Sequence, residues 1–150
     1  MLTTDEVNDI VNTTLVKCVP KGTPIVFKNI PYTPDVKTPY LKMSLFLGET
    51  YAITIGPEGH EQTDGFVQVE IRSPLGSGTS FQNATLDKLR KAFKIGTDLS
   101  PVADHVIKIK SQQRSTGGQT TQSDYTRGAV EDNWDVNFFT AMIYIREPKQ

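Results

Sequence analysis

Residues 65–94, GFVQVEIRSPLGSGTSFQNATLDKLRKAFK, constrain the fold more than any other stretch. From Phe66 to Arg72 the residues alternate, with Val67, Val69 and Ile71 pointing one way and Gln68, Glu70 and Arg72 the other. That period of two predicts a strand with one buried face. The run Ser73 to Gly78, SPLGSG, is too rich in proline and glycine to continue it. Thr79 stands three residues before Gln82, the spacing of a capping box, so a helix is predicted to begin there. Leu86, Leu89 and Phe93 give that helix one apolar stripe, and Gly96 is expected to end it in a left-handed cap. A strand, a turn and a helix laid back on the strand make the core of an α+β domain.

The flanking segments extend this unit. Thr3 and Glu6 form another capping-box spacing, with Leu2 and Val7 placed as a hydrophobic staple, so a helix is predicted up to Cys18. Val7, Ile10, Val11, Leu15 and Cys18 share its apolar face, and Pro20 and Gly22 stop it. Pro24 opens a short extended stretch, Ile25 to Asn29, expected to be an edge or first strand. Asn29 to Pro39 carries three prolines and is read as an extended surface connection. Tyr40 to Leu47 is a core strand, with Leu41, Met43, Leu45 and Leu47 on one face and Tyr40, Lys42, Ser44 and Phe46 on the other. Gly48 and Glu49 are expected to turn it into a weaker strand, Tyr51 to Ile55, followed by a polar loop from Gly56 to Gly65. After Gly96 the chain returns through TDLSPVAD into an alternating strand, His105 to Lys110, with Ile107 and Ile109 on one side.

Ser111 to Asn133 is almost wholly Ser, Thr, Gln, Gly and charged residues. Irregular segments beyond about 12–15 residues are uncommon in compact domains and are usually functional or disordered. Lying between two strand patterns, this one is read as a long polar hairpin arm, either idle or ordered by another subunit; the second is the expectation. Trp134 to Arg146 closes the domain as a long strand. Val136, Phe138, Met142 and Tyr144 lie on one face, and Phe139, Ala141, Ile143 and Ile145 on the other. Apolar residues on both faces require burial on both sides, under helices or at a subunit contact.

Composition bounds the function. At 150 residues the chain is expected to be a single domain spanning 1–150, burying roughly two thirds of its unfolded surface. Its class is α+β: a mainly antiparallel sheet packed by an N-terminal and a central helix, with the arm projecting at about 111–133. A net charge of -1, from 16 basic and 17 acidic residues, is unlike a protein that grips nucleic-acid phosphates. No apolar run approaches the ~20 residues that span a membrane, and the first residues do not read as a signal peptide, so the host cytoplasm is the expected place of synthesis and assembly. Cys18 is the one cysteine, which rules out an internal disulfide and suits a buried structural thiol.

No catalytic, cofactor or metal site is expected. His60 and His105 have no partners at zinc spacing, and neither a GxxxxGK loop nor a GxSxG elbow occurs. Gly76-Ser77-Gly78 before a helix reads as a tight turn, because the third glycine and downstream acid of a dinucleotide site are missing. The carboxylates Asp64, Glu70, Asp124, Glu131, Asp132 and Asp135 are scattered. Lys88, Arg90, Lys91 and Lys94 suit the dipole at a helix C-terminus, by a few tenths of a kcal/mol each.

Several features in combination resemble the tail terminator, or tail completion, proteins of long-tailed phages, of the lambda type. They are PIVFKNIPYTPD leading into PYLKMSLFLG, the turn GFVQVEIRSPLGSGTS into a helix, and a late polar hairpin ending in NWDVNFFTAMIYIREP. The similarity runs from the first helix to the last strand. It implies a structural virion protein that forms a ring, typically a hexamer, on the head-proximal end of the tail tube. Such a ring ends polymerisation and joins the tail to the head. The partners so implied are further copies of the chain, the major tail tube protein and the neck or head-completion proteins. DNA only passes through the lumen, and no membrane is involved. Arg114, Asp124, Tyr125, Arg127 and Glu131 of the arm are the candidate contacts to a subunit or to the tube. The alternatives are a neck or head-tail connector protein and a small ligand-binding α+β domain, which needs a concave apolar pocket.

Overall fold

The computed structural model describes residues 2–27, 30–33, 37–56, 58–100, 103–115, 130–131 and 134–149, without the side chains of 115, 130 and 131. Helix α1, Thr4–Cys18, starts as its spacing predicts. The Thr3 hydroxyl accepts the Glu6 N–H at 3.2 Å, and the Glu6 carboxylate accepts the Thr3 N–H at 2.7 Å. Two otherwise orphaned donors are thereby satisfied. Val7, Val11 and Leu15 are buried along one stripe, and Leu2 packs beside them in the staple position.

Strand β1, Ile25–Phe27, lies at the sheet edge, as the preceding proline suggested, and runs parallel to β2, Tyr40–Ala52. The hairpin of β2 with β3, His60–Pro74, is longer than its sequence pattern indicated. Gly48 and Glu49 do not turn the chain; the register shifts between Leu47 and Thr50, a bulge, and β2 continues to Ala52. Nor is 56–65 a loop throughout, because from His60 onward it is strand, paired to β2 on one side and to β6 on the other. Period-two alternation is present there, but written in Glu61, Gln62, Thr63 and Asp64 rather than in apolar residues.

The turn after β3 delivers α2, Ser80–Ala92, whose Leu86, Leu89 and Phe93 form the expected buried stripe. Its predicted capping box does not form. Thr79 has helical backbone angles and makes no side-chain cap. Gln82 is 1% exposed and donates instead to Asp135, because the buried side of the first helical turn faces the sheet. Phe93 is the C-cap, so Gly96, at φ 86, is not the cap residue; its N–H donates to Ile109 O. Residues 96–99 thus cover part of the outer edge of β4, Val106–Ser115, through three backbone hydrogen bonds to Ile107 and Ile109.

Strand β6, Trp134–Pro148, pairs antiparallel with β3 along its whole length. On its other side it pairs with β4 and with β5, Val130–Glu131. The sheet order is β1-β2-β3-β6-β4, with β5 off that path. This is the α+β domain that the sequence predicts, mostly antiparallel. Both helices lie on one face, closing a core around Leu41, Val69, Ile71, Ile107, Phe139 and Ile143. Each such side chain, fully buried, contributes about 1.5–3 kcal/mol.

Among the described residues no helix covers the other face of β6. At one end Trp134 and Val136 are buried in a second, small cluster with Val26 and Tyr40, whereas Met142 is 41% exposed. The segment read as an arm begins as strand, since β4 runs to Ser115 and β5 returns at Val130. The projecting tip expected between them lies outside the described residues.

Candidate interaction surfaces

Among the described residues no three His, Cys, Asp or Glu side chains are grouped to hold a metal ion, and no helix is long and apolar enough to cross a membrane. His105 is drawn into structure instead. Its Nε2 lies 3.7 Å from Glu147 Oε2, which also accepts the Leu2 N–H at 2.8 Å. That carboxylate ties Leu2 to the end of β6, and both buried His105 ring nitrogens are without a hydrogen-bond partner among the described residues. The Gly76–Gly78 turn is closed on itself: the Ser77 N–H and hydroxyl both donate to Pro74 O, at 3.2 and 2.6 Å. Cys18 Sγ donates to Leu15 O at 3.2 Å, and burial pushes its thiol up from its ordinary range, away from thiolate reactivity.

The open sheet face carries the features that a folded core does not explain. Phe46, Phe66 and Met142 stand side by side on β2, β3 and β6 because the register places Phe66 opposite both neighbours. The two rings stack at 4.7 Å with 26° between their planes. Phe46 remains 36% exposed and Met142 41%. With Leu47, Gly48 and Gly65 they line a shallow depression of about 270 Å³. Gly65 lets the β2 backbone come close here, since a Cβ there would collide with the Phe46 carbonyl oxygen.

Beside this apolar strip lies a polar network. Gln62, 7% exposed, donates to the Tyr51 hydroxyl at 2.9 Å and to Asp64 Oδ1 at 2.8 Å, and accepts from Arg146 Nε at 2.7 Å. Tyr51 donates to Asp64 Oδ2 at 3.0 Å. The Gln62 hydrogen bond, reinforced by that of Tyr51 and opposed by desolvation, holds the Asp64 carboxyl below the usual carboxylate range. The Asp64 carboxylate in turn raises the Tyr51 hydroxyl above its ordinary value. At the β2–β3 tip, Lys149 Nζ donates to the carbonyls of Thr54 and Gly56 at 2.6 and 2.8 Å, bracketing a fully exposed Ile55.

Of the residues singled out from sequence, Arg114 is exposed on β4, opposite Phe139 and hence toward the helix-covered side. Glu131 lies in β5 opposite Trp134. Both stand on the same side of β6, because β3 occupies the other side throughout. Asp124, Tyr125 and Arg127 lie outside the described residues. Phe46, Phe66 and Met142 were not singled out. Their signal is present as single aromatic residues among polar ones on one face of β2 and β3 and as a second apolar face on β6, but only the register brings them together.

A family model described as phage tail terminator protein matches residues 6–131. Among solved structures, one protein shares the fold with a TM-score of 0.62 at 14% identity, over 92% of this chain and 94% of that one. The sheath/tube terminator of an extracellular contractile injection system (PVC), in its extended state, matches with a TM-score of 0.48 at 10% identity. That match covers 100% of this chain and 58% of the other. No curated protein matches this chain.

Proposed function

The chain belongs to the phage tail terminator family, and from that premise we propose that it assembles as a ring, hexameric and of the lambda type, on the head-proximal end of the tail tube. There it ends tube polymerisation and offers the neck proteins their docking surface. Family membership makes it a structural component of the virion tail; the ring, its position and its assembly in the host cytoplasm are our reading. The geometric observation that carries the docking is the uncovered sheet face. Helices bury only one side of the sheet, and the Phe46–Phe66–Met142 strip on the other is an exposed apolar patch rimmed by polar groups. We read this strip as the part of the sheet that the tube or neck contacts. Within the same reading, Arg114, Asp124, Tyr125, Arg127 and Glu131 supply polar contacts from the arm to a neighbouring subunit or to the tube. DNA passes through the lumen without being gripped, consistent with the net charge of -1.

The test is tube length. Purified tail tube subunits are polymerised with and without this protein and measured by electron microscopy. Tubes of limited length carrying a ring at one end support termination. Unrestricted growth without a bound ring refutes it and moves a neck protein ahead.

A further inference from the structure

Resting on the ring reading, we propose how one copy holds the next: the outward stripe of α1 seats in the basic groove between the end of α2 and β4 of its neighbour. Because Val7, Val11 and Leu15 face the core, a period of 3.6 residues turns Asp5, Asp9 and Val16 outward. All three are exposed, Val16 by 55%. The groove is about 740 Å³ and is lined by Asp87, Arg90, Lys91, Lys94, Ile95 and Gln112. It is shaped by Gln112, whose side chain reaches from β4 to the Arg90 and Phe93 carbonyls at the helix end. Three cations there face one carboxylate, around an Ile95 that is 60% exposed.

Charge complementarity selects the occupant. Each surface pairs an exposed aliphatic side chain with charge, and the charges are opposite. No ion pair among the described residues engages the side chains of Asp5, Asp9, Lys91 or Lys94. The helix dipole accounts for cations in the last turn of α2 and for Asp5 in the first turn of α1, but its effect fades within one turn and leaves Asp9 unexplained. The near-zero net charge makes this a segregation of sign rather than an excess. The two surfaces also lie over different parts of the sheet. α1 begins against Leu47, Gly48 and Glu147, while α2 ends beside β4. A contact between two unlike surfaces is heterologous, the kind that closes rings.

Charge exchange in the full chain tests this. K91E/K94E and D5K/D9K are each expected to lose self-association by tenfold or more, measured by sedimentation and by rings counted on tube ends. An equimolar mixture of the two, in which opposite signs again meet, should recover it. Thermal melts establish that each variant is folded, and the milder pair K94E and D9K, with one charge reversed on each surface, repeats the test. Rings that persist in both variants overturn the contact and leave the terminator reading standing. So does a loss that mixing does not repair. A groove whose reversal abolishes salt-sensitive DNA binding while D5K/D9K still assembles also overturns it. Recovery by mixing, with tubes left unlimited even by the unaltered chain, supports the contact and sinks the terminator reading.

Discussion

Gln82→Ala should cost several times more stability than Thr79→Ala, although their spacing assigns the two residues equal shares of one capping box. Gln82 is 1% exposed, and its Nε2 donates to the Asp135 carboxylate at 3.0 Å and to the Asp135 carbonyl at 3.3 Å. That joins the first turn of α2 to the start of β6. A hydrogen bond to a charged group is worth about 1.5–3 kcal/mol, and each buried methylene adds about 0.8 kcal/mol. Removal also leaves Asp135, whose Oδ1 is already buried without a partner, short of a donor. The expected loss is roughly 2–4 kcal/mol on those magnitudes. Thr79 makes no side-chain cap, so its alanine variant should stay within about 0.5 kcal/mol. At about 4 °C per kcal/mol for a chain of this size, the melting temperature falls by about 8–16 °C in the first case and by no more than about 2 °C in the second. Circular-dichroism melts near pH 7 measure both. Pairing each variant with Asp135→Ala completes a cycle in which only Gln82 should couple, by about 1 kcal/mol or more. If Thr79→Ala costs as much as Gln82→Ala, or if Gln82 and Asp135 are additive, the reasoning is wrong.

Gly65→Ala should cost about 1–3 kcal/mol or more, because its Cβ meets the Phe46 carbonyl and lies 3.0 Å from Leu47 Cδ2. Gly48→Ala, facing only Asp64 O at 3.2 Å, should cost less than about 1 kcal/mol; equal losses in urea titrations would contradict the close-approach account. Met142→Lys is expected to melt within about 0.5 kcal/mol of the parent yet cap tubes at least tenfold less well, about 1.4 kcal/mol, and unaltered capping would remove the sheet face from the docking surface. The Asp64 carboxyl, followed by NMR, should titrate below the ordinary aspartate range, and Gln62→Ala should move its midpoint upward. Because the folded value is depressed, the contribution of Asp64 is complete above the unfolded value and is lost as pH falls through the folded midpoint. A midpoint that ignores Gln62 would show that the network is not formed.

Most of the fold was legible because burial writes a period into the chain. Thr3 and Glu6 flank an apolar 3.6-residue pattern, so α1 was predicted and formed with its cap. Val67, Val69 and Ile71 alternate and are fully buried. The misreadings fall where polar residues do structural work. The sequence of Gly56 to Gly65 reads as loop because it has no apolar alternation, but from His60 it is strand, where Gln62 donates to Tyr51 and accepts from Arg146, and Asp64 accepts from Tyr51. Local spacing makes Gln82 a cap residue, while its partner Asp135 lies on a strand that no spacing rule connects to it.

The candidate surface was half legible for the same reason. Apolar residues on both faces of β6 showed that both sides need covering, and they offered two covers, helices or another subunit. The helices cannot supply the second one, since α1 and α2 are both committed to the face that holds Phe139 and Ile143. Within the described chain, Tyr40 and Trp134 close one end of the open face by an edge-to-face contact at 5.1 Å. At the other end Phe46 and Met142 stay 36% and 41% exposed. Fully burying an exposed side chain of this size gains about 1.5–3 kcal/mol, and with those fractions still exposed, covering both gains roughly 1–2 kcal/mol together. In the proposed assembly, that gain accrues only when the subunit meets its partner, while the core on the helix-covered face is already closed within the chain.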